Sequence, residues 1–293
     1  MASHSREVAL LTNPTAGKGR AARARAAAVP RLRQSGARVR SIEGRDADEA
    51  LDLARAAVED GVDALVVVGG DGLVHLACQV LAGTPTPLGV IPAGTGNDAA
   101  RTFGVPTDDP VAAAERVVAG RTHTVDLARA GSTYYATVLA AGFDAVVNER
   151  ANRMRFPRGQ SRYTLATLAE LRTFEPISYV LELDGEEQRL DAMLVAVGNG
   201  PSFGGGLRIT EGASVTDGRL DVVVIRPVGK MELVRTYPKL FKGTHTQHPA
   251  YERHRVERVT VAAPGVVGYA DGERLGPLPL TVEVVPQALR VLA

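Results

Sequence analysis

The sequence predicts two domains, an open parallel α/β sheet followed by an antiparallel β-sandwich-like domain. Three observations carry this. Strand-like and helix-like stretches alternate up to Gly120. Beyond Val125, strands follow one another with little helix between them. The chain has 293 residues, enough for two domains of roughly 100–200 residues each. The boundary falls between Gly120 and Asp126, giving residues 1–124 and 125–293. The last strand is free to pack back on the first domain.

Each element has its reason. Val8–Thr12 is a short apolar run, read as a strand, and the Ala/Arg-rich stretch Arg20–Gln34 is helical. Ala37–Ile42 reads as a strand and Asp46–Glu59 as an amphipathic helix. Ala64–Val68 is a continuous β-branched run, as in a strand buried on both faces. Leu73–Leu81 is helical, Leu88–Ile91 is a second buried strand, and Asp98–Phe103 and Pro110–Ala119 are helical. The second half offers strands at Thr122–Ala128, Tyr134–Ala140, Ser178–Leu183, Ala192–Val197, Leu220–Ile225, Val256–Ala262 and Leu280–Val285. Asp184-Gly185, Asp217-Gly218 and Asp271-Gly272 are turn signals between them. Helices are expected at Tyr163–Thr173 and Lys230–Phe241.

Composition excludes several classes. Hydrophobic residues make up 45% and charged residues 23%, a globular rather than disordered balance. A formal net charge of +1 gives no bulk field for holding nucleic acid, and no nucleic-acid partner is expected. The one cysteine, Cys78, excludes an intrachain disulfide framework and suits a reducing compartment. No apolar run approaches the ~18–20 residues of a membrane span. The start MASHSREVAL lacks the basic-then-apolar order of a signal peptide. The expected location is cytoplasmic.

Three glycine-rich loops follow strands of the first half. They are Asn13-Pro14-Thr15-Ala16-Gly17-Lys18-Gly19, Gly69-Gly70-Asp71-Gly72, and Pro92-Ala93-Gly94-Thr95-Gly96-Asn97-Asp98. In an open α/β sheet, ligands bind at the carboxyl ends of the strands. Glycines there let the backbone approach a polyanion, and helix starts present free N–H groups. One such turn could be a mere tight connection; three on one sheet edge point to a nucleotide or phosphate site. Asp71 reads either as a helix N-cap or as a carboxylate organising Mg²⁺ beside phosphates. Asp98 reads either as a first-turn acid, the favoured reading, or as a site residue, and the hydroxyl of Thr95 could bond a phosphate. Gly94-x-Gly96-x-x-Ala99 matches a dinucleotide fingerprint. The acid expected ~20 residues on is Glu115, which lies inside a helix, so that fingerprint is set aside. His245, His248 and His254 have a spacing that could suit zinc, but no cysteine joins them.

These loops, with Gly142-Phe143-Asp144, Asn199-Gly200…Gly204-Gly205-Gly206, Asp217-Gly218-x-Leu220-Asp221 and Asp271-Gly272-Glu273, resemble the bacterial diacylglycerol kinase-type lipid kinases. That group is related to sphingosine kinases and more distantly to NAD kinases and phosphofructokinases. The resemblance implies an NAD-kinase-like first domain, ATP as phosphoryl donor and a lipid hydroxyl as acceptor, with diacylglycerol giving phosphatidic acid. It implies nucleotide contacts at Asn13, Pro14, Thr15, Ala16, Gly17 and Lys18, at Ser41, at Gly69, Gly70, Asp71 and Gly72 and on to Leu76, and at Thr95, Gly96 and Asn97. It implies a structural Mg²⁺ held by Asp217 and the carbonyls of Ser214 and Arg219. It places the base at Glu273, with Asp271 close behind. If that stretch is extended, the two carboxylates point to one side. The family usually has Thr where this chain has Leu73, and an Asn-Glu pair where it has His75-Leu76. A catalytically inactive lipid- or nucleotide-binding relative, or a kinase of a soluble substrate such as NAD, are the competing readings. The lipid substrate implies peripheral membrane contact. Two basic stretches suit it: Arg150, Arg153, Arg155, Arg158 and Arg162, and then Arg235, Lys239, Lys242, Arg253, Arg255 and Arg258. Oligomeric state is left open, a homodimer included.

Overall fold

Apolar strands and amphipathic helices alternate from β1 (Glu7–Thr12) through α1 (Arg20–Gln34), β2 (Arg38–Ile42), α2 (Ala47–Glu59) and β3 (Ala64–Gly69). They continue through α3 (Asp71–Leu81), β4 (Leu88–Pro92), α4 (Asp98–Thr102) and α5 (Pro110–Ala119). This computed structural model describes residues 6–12, 19–142 and 175–293. The chain divides into two units. The first holds residues 1–127, 215–218 and 285–293, and the second holds 128–214 and 219–284.

In the first unit the strands are parallel in the order β2-β1-β3-β4. Every residue of β3 is buried, because α1 packs with α5 and α2 with α3 in helical layers that cover the sheet. Right-handed crossovers produce this when the strand order reverses beside β1. The reversal opens a crevice at the carboxyl ends of β1 and β3. Local capping fixes the helix starts. Asp46 accepts from Glu49 N at 2.9 Å, so it is the N-cap of α2 rather than its first residue. Asp109 accepts from the amides of Val111 and Ala112, with Pro110 opening α5.

The second unit is all antiparallel in its described pairings. β5 (Thr122–Ala130) carries the chain in and pairs with β6 (Thr133–Tyr135). One sheet runs β12-β11-β10-β7-β14-β15: β7 is Val138–Gly142, β10 Leu194–Gly198, β11 Leu220–Ile225, β12 Tyr251–Val256, β14 Val267–Ala270 and β15 Glu273–Pro277. The other contains β9 (Glu186–Ala192), β8 (Ile177–Leu183), β13 (Arg258–Ala262) and the first residues of β16 (Leu280–Leu292). Tyr135, Tyr179, Leu181, Val195, Val222, Val259 and Val282 fill the space between them. β7, β10 and β11 lack polar alternation because their outer face is also covered. Val138, Ala140, Leu194, Ala196 and Val223 lie there with Ile209, beneath the helix α6 (Lys230–Leu240).

Two expected strands each divide. Tyr134–Ala140 becomes β6 and β7, in different sheets. The amides of Ala136 and Thr137 donate not to a neighbouring strand but to the Asp271 carboxylate, at 3.0 and 2.9 Å. Val256–Ala262 becomes part of β12 and then β13, again in different sheets. Here the amides of Glu257 and Arg258 donate to Asp184 at 3.0 and 2.8 Å. Both aspartates sit in two-residue Asp-Gly hairpin turns with positive φ, 48° at Asp184 and 52° at Asp271. β9, β14 and β15 were not expected from the sequence, being short or charged. The helix expected at Tyr163–Thr173 lies outside the described residues.

Asp126 of β5 ties together distant parts of the first unit. It is 3% exposed; its amide donates to Val215 O, and its carboxylate accepts from the amides of Gly218 and Gln287, both at 2.8 Å. Asp126→Ala leaves two amides without acceptors. Urea denaturation is expected to show a loss of about 1–3 kcal/mol.

Candidate functional site

In the first unit, two βα loops meet at the carboxyl end of the sheet. β3 and β4 run in register, with Gly69 opposite Pro92, and Ala93 N donates to Gly69 O at 2.8 Å. The loops then touch backbone to backbone. A Cβ on Gly94 would lie 2.6 Å from Gly70 Cα, and one on Gly70 would lie 3.0 Å from Gly94 Cα. No side chain fits at Gly94 without moving main chain. Asn97, at φ 56°, folds its side chain back so that Oδ1 accepts from Gly94 N at 2.9 Å.

Asp71 is the first residue of α3, and Gly70 is the N-cap. Its Oδ1 accepts from Ala99 N at 2.9 Å, so it serves an amide at the start of α4 rather than of its own helix. Asp98 is buried in the first turn of α4 and pairs with Arg101 at 3.2 Å. Neither Gly70 nor Asn97 caps its helix with a side chain. The two helix starts lie on one rim, and that of α3, which no side chain caps, can receive an anion. Thr95 is exposed at the tip of the second loop. The hydroxyl of Ser41, on β2, accepts from Arg25 at 2.9 Å. Leu73 lies against Gly69, its Cδ2 2.9 Å from where a Cβ there would be, and Leu76 is buried. Asn13 to Lys18 lie outside the described residues.

Beside this rim is a recess of about 320 Å³, lined by Arg20, Arg23, Gly94, Asn97, Thr107 and Asp108 among others. Sequence reasoning missed Arg20 and Arg23. Their spacing of three, directly after the first glycine loop, puts both on one side of the first turn of α1.

In the second unit, the Asp271–Glu273 stretch is not extended. Asp271 and Gly272, with φ of 52° and 87°, form the turn between β14 and β15. The two carboxylates therefore do not share a side in the way an extended stretch would arrange them. The Asp271 carboxylate accepts from the amides of Ala136 and Thr137 and from Thr137 Oγ1 at 2.6 Å. Glu273 opens β15 and is exposed. The Asn199 side chain holds the same segment, donating to Ala136 O at 3.0 Å, and the amides of Asn199 and Gly200 both donate to Thr137 O at 2.9 Å. Burial, with the Asp271 charge adding to it, pushes the Tyr135 phenol well above its usual range.

Ser214, Asp217 and Arg219 lie in the loop before β11, with Asp217 exposed. The Arg219 guanidinium faces Glu257 at 3.2 Å. A carboxylate and two carbonyls make an all-oxygen donor set, which fits Mg²⁺ completed by water. Among the described residues, no group of three or more His, Cys, Asp and Glu is placed to hold a metal. His245, His248 and His254 turn to separate partners, Ile209 O, Glu232 and Glu252. Arg150 to Arg162 lie outside the described residues.

The outer face of the six-stranded sheet carries a narrow apolar cavity of about 90 Å³. Leu194, Phe203, Leu207, Ile209 and Ile225 form its floor and sides. Leu233, Thr236, Tyr237 and Leu240 of α6 form its roof, the 3–4 spacing of a single helix face. Glycines 204–206, all at positive φ, turn the chain so that Phe203 and Leu207 bond to each other at 3.0 and 2.9 Å. His245, 2% exposed, also lines the cavity. Burial holds this imidazole below its usual value, against the opposing pull of the Ile209 carbonyl and Glu211.

The parallel sheet with glycine-lined loops and the antiparallel β-unit that follows it fall within two family models, both of kinase-type domains. Residues 7–130 match the diacylglycerol kinase catalytic domain. Residues 137–293 match the YegS C-terminal NAD kinase beta sandwich-like domain. The chain belongs to the bacterial diacylglycerol kinase-type lipid kinase family. It is 47% identical over 292 residues to a diacylglycerol kinase of Mycobacterium tuberculosis, covering 98% of this chain and 94% of that one. It is 27% identical to a diacylglycerol kinase of Bacillus subtilis, covering 92% and 90%. A crystal structure of a diacylglycerol kinase from Bacillus anthracis superposes with a TM-score of 0.75 at 22% identity, over 100% of this chain and 98% of that one. That likeness shows the fold.

Gly94→Ala forces the two loops apart. A thermal melt is expected to show a loss of about 1–3 kcal/mol, whereas Thr95→Ala leaves the midpoint unchanged. His245 contributes stability by staying neutral when folded. That contribution is present above pH 6.5, the imidazole's ordinary value, and falls as pH drops below it. Urea midpoints measured against pH should flatten in His245→Gln.

Proposed function

We propose that this kinase transfers the γ-phosphate of ATP to the hydroxyl of a lipid, with diacylglycerol the favoured acceptor. The observation that carries the lipid assignment is the apolar cavity on the second unit. Its lining is aliphatic and aromatic apart from Thr236, the edges of Tyr237 and Tyr251, and two imidazoles. A soluble, charged acceptor such as a dinucleotide would find few partners there, whereas a hydrocarbon chain would.

The phosphate side belongs to the first unit. The start of α3, which no side chain caps, presents amide donors, Arg20 and Arg23 add positive charge, and the contact between Gly70 and Gly94 holds the donors in place before any ligand arrives. Such preorganised donors stabilise charge developing on a transferred phosphoryl group. Asn13 to Lys18 and Ser41 are proposed to complete the nucleotide contacts. Mg²⁺ at Asp217, with the carbonyls of Ser214 and Arg219, would supply charge and order that loop.

Glu273 is the proposed proton acceptor. It is exposed and carried on a fixed turn, and it takes the proton from the lipid hydroxyl as that oxygen bonds to the γ-phosphorus and ADP leaves. Asp271 plays a different part, since its carboxylate, engaged by three donors, holds the turn that presents Glu273. The acceptor is met at a membrane surface, and the contact is peripheral, since no described helix is long and apolar enough to cross a bilayer.

The test is incubation with labelled ATP, Mg²⁺ and diacylglycerol in mixed micelles. Labelled phosphatidic acid is expected, and Glu273→Gln should lower kcat roughly 10²–10⁴-fold with an unchanged melting temperature. ADP production without labelled lipid would turn the assignment to a soluble acceptor. Lipid binding without ADP would favour the inactive relative, consistent with Leu73 and His75-Leu76.

A further inference from the structure

The roof of the apolar cavity has a second face. Among the described residues the exposed large hydrophobics are Leu53, Val111, Met231, Val234 and Phe241. Three of these five lie on α6 or at its C-cap. Met231 is 66% exposed, Val234 44% and Phe241 42%. At 100° per residue, Met231, Val234 and Pro238 point away from the side formed by Leu233, Thr236, Tyr237 and Leu240. The cations Arg235 and Lys239 fall on or beside that outward face, Lys242 follows just after the C-cap, and Lys230 opens the helix. The acid in this stretch, Glu232, is occupied by His248 at 2.9 Å. An outward helix face with large apolar residues set among cations matches an anionic lipid surface in both hydrophobicity and charge. A soluble acidic protein would match the charge but leave Met231 at most partly used.

The helix is also lightly held. No residue of α6 is buried, and its main packing neighbour is the short turn at Thr244–Gln247. Pro238, inside the helix, has no N–H for the carbonyl of Val234. The cavity beneath, about 90 Å³, is well below the roughly 300–1,000 Å³ of sites that enclose whole small ligands. A long acyl chain can enter only if the roof lifts.

We propose that α6 is the bilayer-docking element of this kinase, and that its contact with anionic phospholipid admits the acceptor's chain to the cavity below. This rests on the lipid-kinase reading and names the surface through which the acceptor is reached. Of the second basic stretch, Arg235 and Lys239 of α6 and Lys242 just after its C-cap take part. Arg253 is held by Asp221 at 2.5 Å and by the carbonyls of Glu211 and Gly212, and Arg255 lies 3.9 Å from the same carboxylate, so these two strand residues belong to the fold.

The experiment is vesicle flotation of the full chain with phosphatidylcholine alone and with phosphatidylcholine mixed with phosphatidylglycerol. Three variants are compared with the wild type: M231E/V234E, R235E/K239E/K242E, and R189E on β9 as a charge control. Wild type and R189E should float with the mixed vesicles only. Both α6 variants should lose binding roughly tenfold or more. Turnover of diacylglycerol embedded in the mixed vesicles should fall in parallel. Turnover of a dispersed short-chain diacylglycerol should stay within about twofold of wild type, since the substituted side chains face away from the cavity. Wild type that ignores phosphatidylglycerol, or α6 variants that float as well as wild type, would overturn the proposal. Flotation needs no catalysis, so a chain that binds vesicles through α6 but phosphorylates no lipid refutes the kinase reading alone.

Discussion

A carboxylate on a two-residue turn, accepting two successive main-chain amides, organises the second unit. It occurs twice, at Asp184 and at Asp271. In each case the chain must leave one sheet and enter the other, and the break strands a pair of N–H groups that no neighbouring strand can reach. At the part-buried Ala136–Thr137 corner, amides without acceptors are costly and need a local one, whereas at the exposed Glu257–Arg258 corner the carboxylate takes the place of water. An Asp-Gly turn supplies the acceptor, because the left-handed backbone at Asp is followed by a residue that tolerates it. Asn199 reinforces the second corner by binding the carbonyls of the same two residues. The segment around Thr137 is thus pinned from β10 and from the β14–β15 turn at once.

This arrangement separates roles that looked alike in the amino-acid string. Asp271 and Glu273 read as a pair of acids two positions apart. The backbone reversal at Asp271 commits one carboxylate to the corner and leaves the other exposed at the start of a strand. A comparable division holds in the first unit. Asp71 looks like a metal-organising acid or a cap of its own helix, yet it bonds to the start of the neighbouring helix. The glycines around it are required as much by the approach of two loops to each other as by anything they could bind.

Much of the fold was legible in the residues because burial is written into them. The β-branched run at Ala64–Val68 could only be a central strand, and the Ala/Arg periodicity of Arg20–Gln34 could only be a surface helix. The corners were not legible, because Tyr134–Ala140 and Val256–Ala262 are uninterrupted by Gly or Pro. What divides them is a side chain more than seventy positions away. The glycine-loop rim was readable from spacing, whereas Arg20 and Arg23 were hidden in a helix already rich in arginine. The cavity was harder still: its walls come from β10, the loop after it, β11 and α6, and no local pattern joins them.

The connectivity also governs how the chain reaches this state. The first unit closes only when Val291 and Leu292 of β16 pair beside β4, at Leu88 and Gly89, and when the amide of Gln287 reaches Asp126. During synthesis the N-terminal half emerges early but stays unfinished until residues 285–293 have left the ribosome. For that interval β4 offers an unpaired edge, the kind of template on which nascent chains associate wrongly. Cutting the gene at the apparent domain boundary would make that interval permanent.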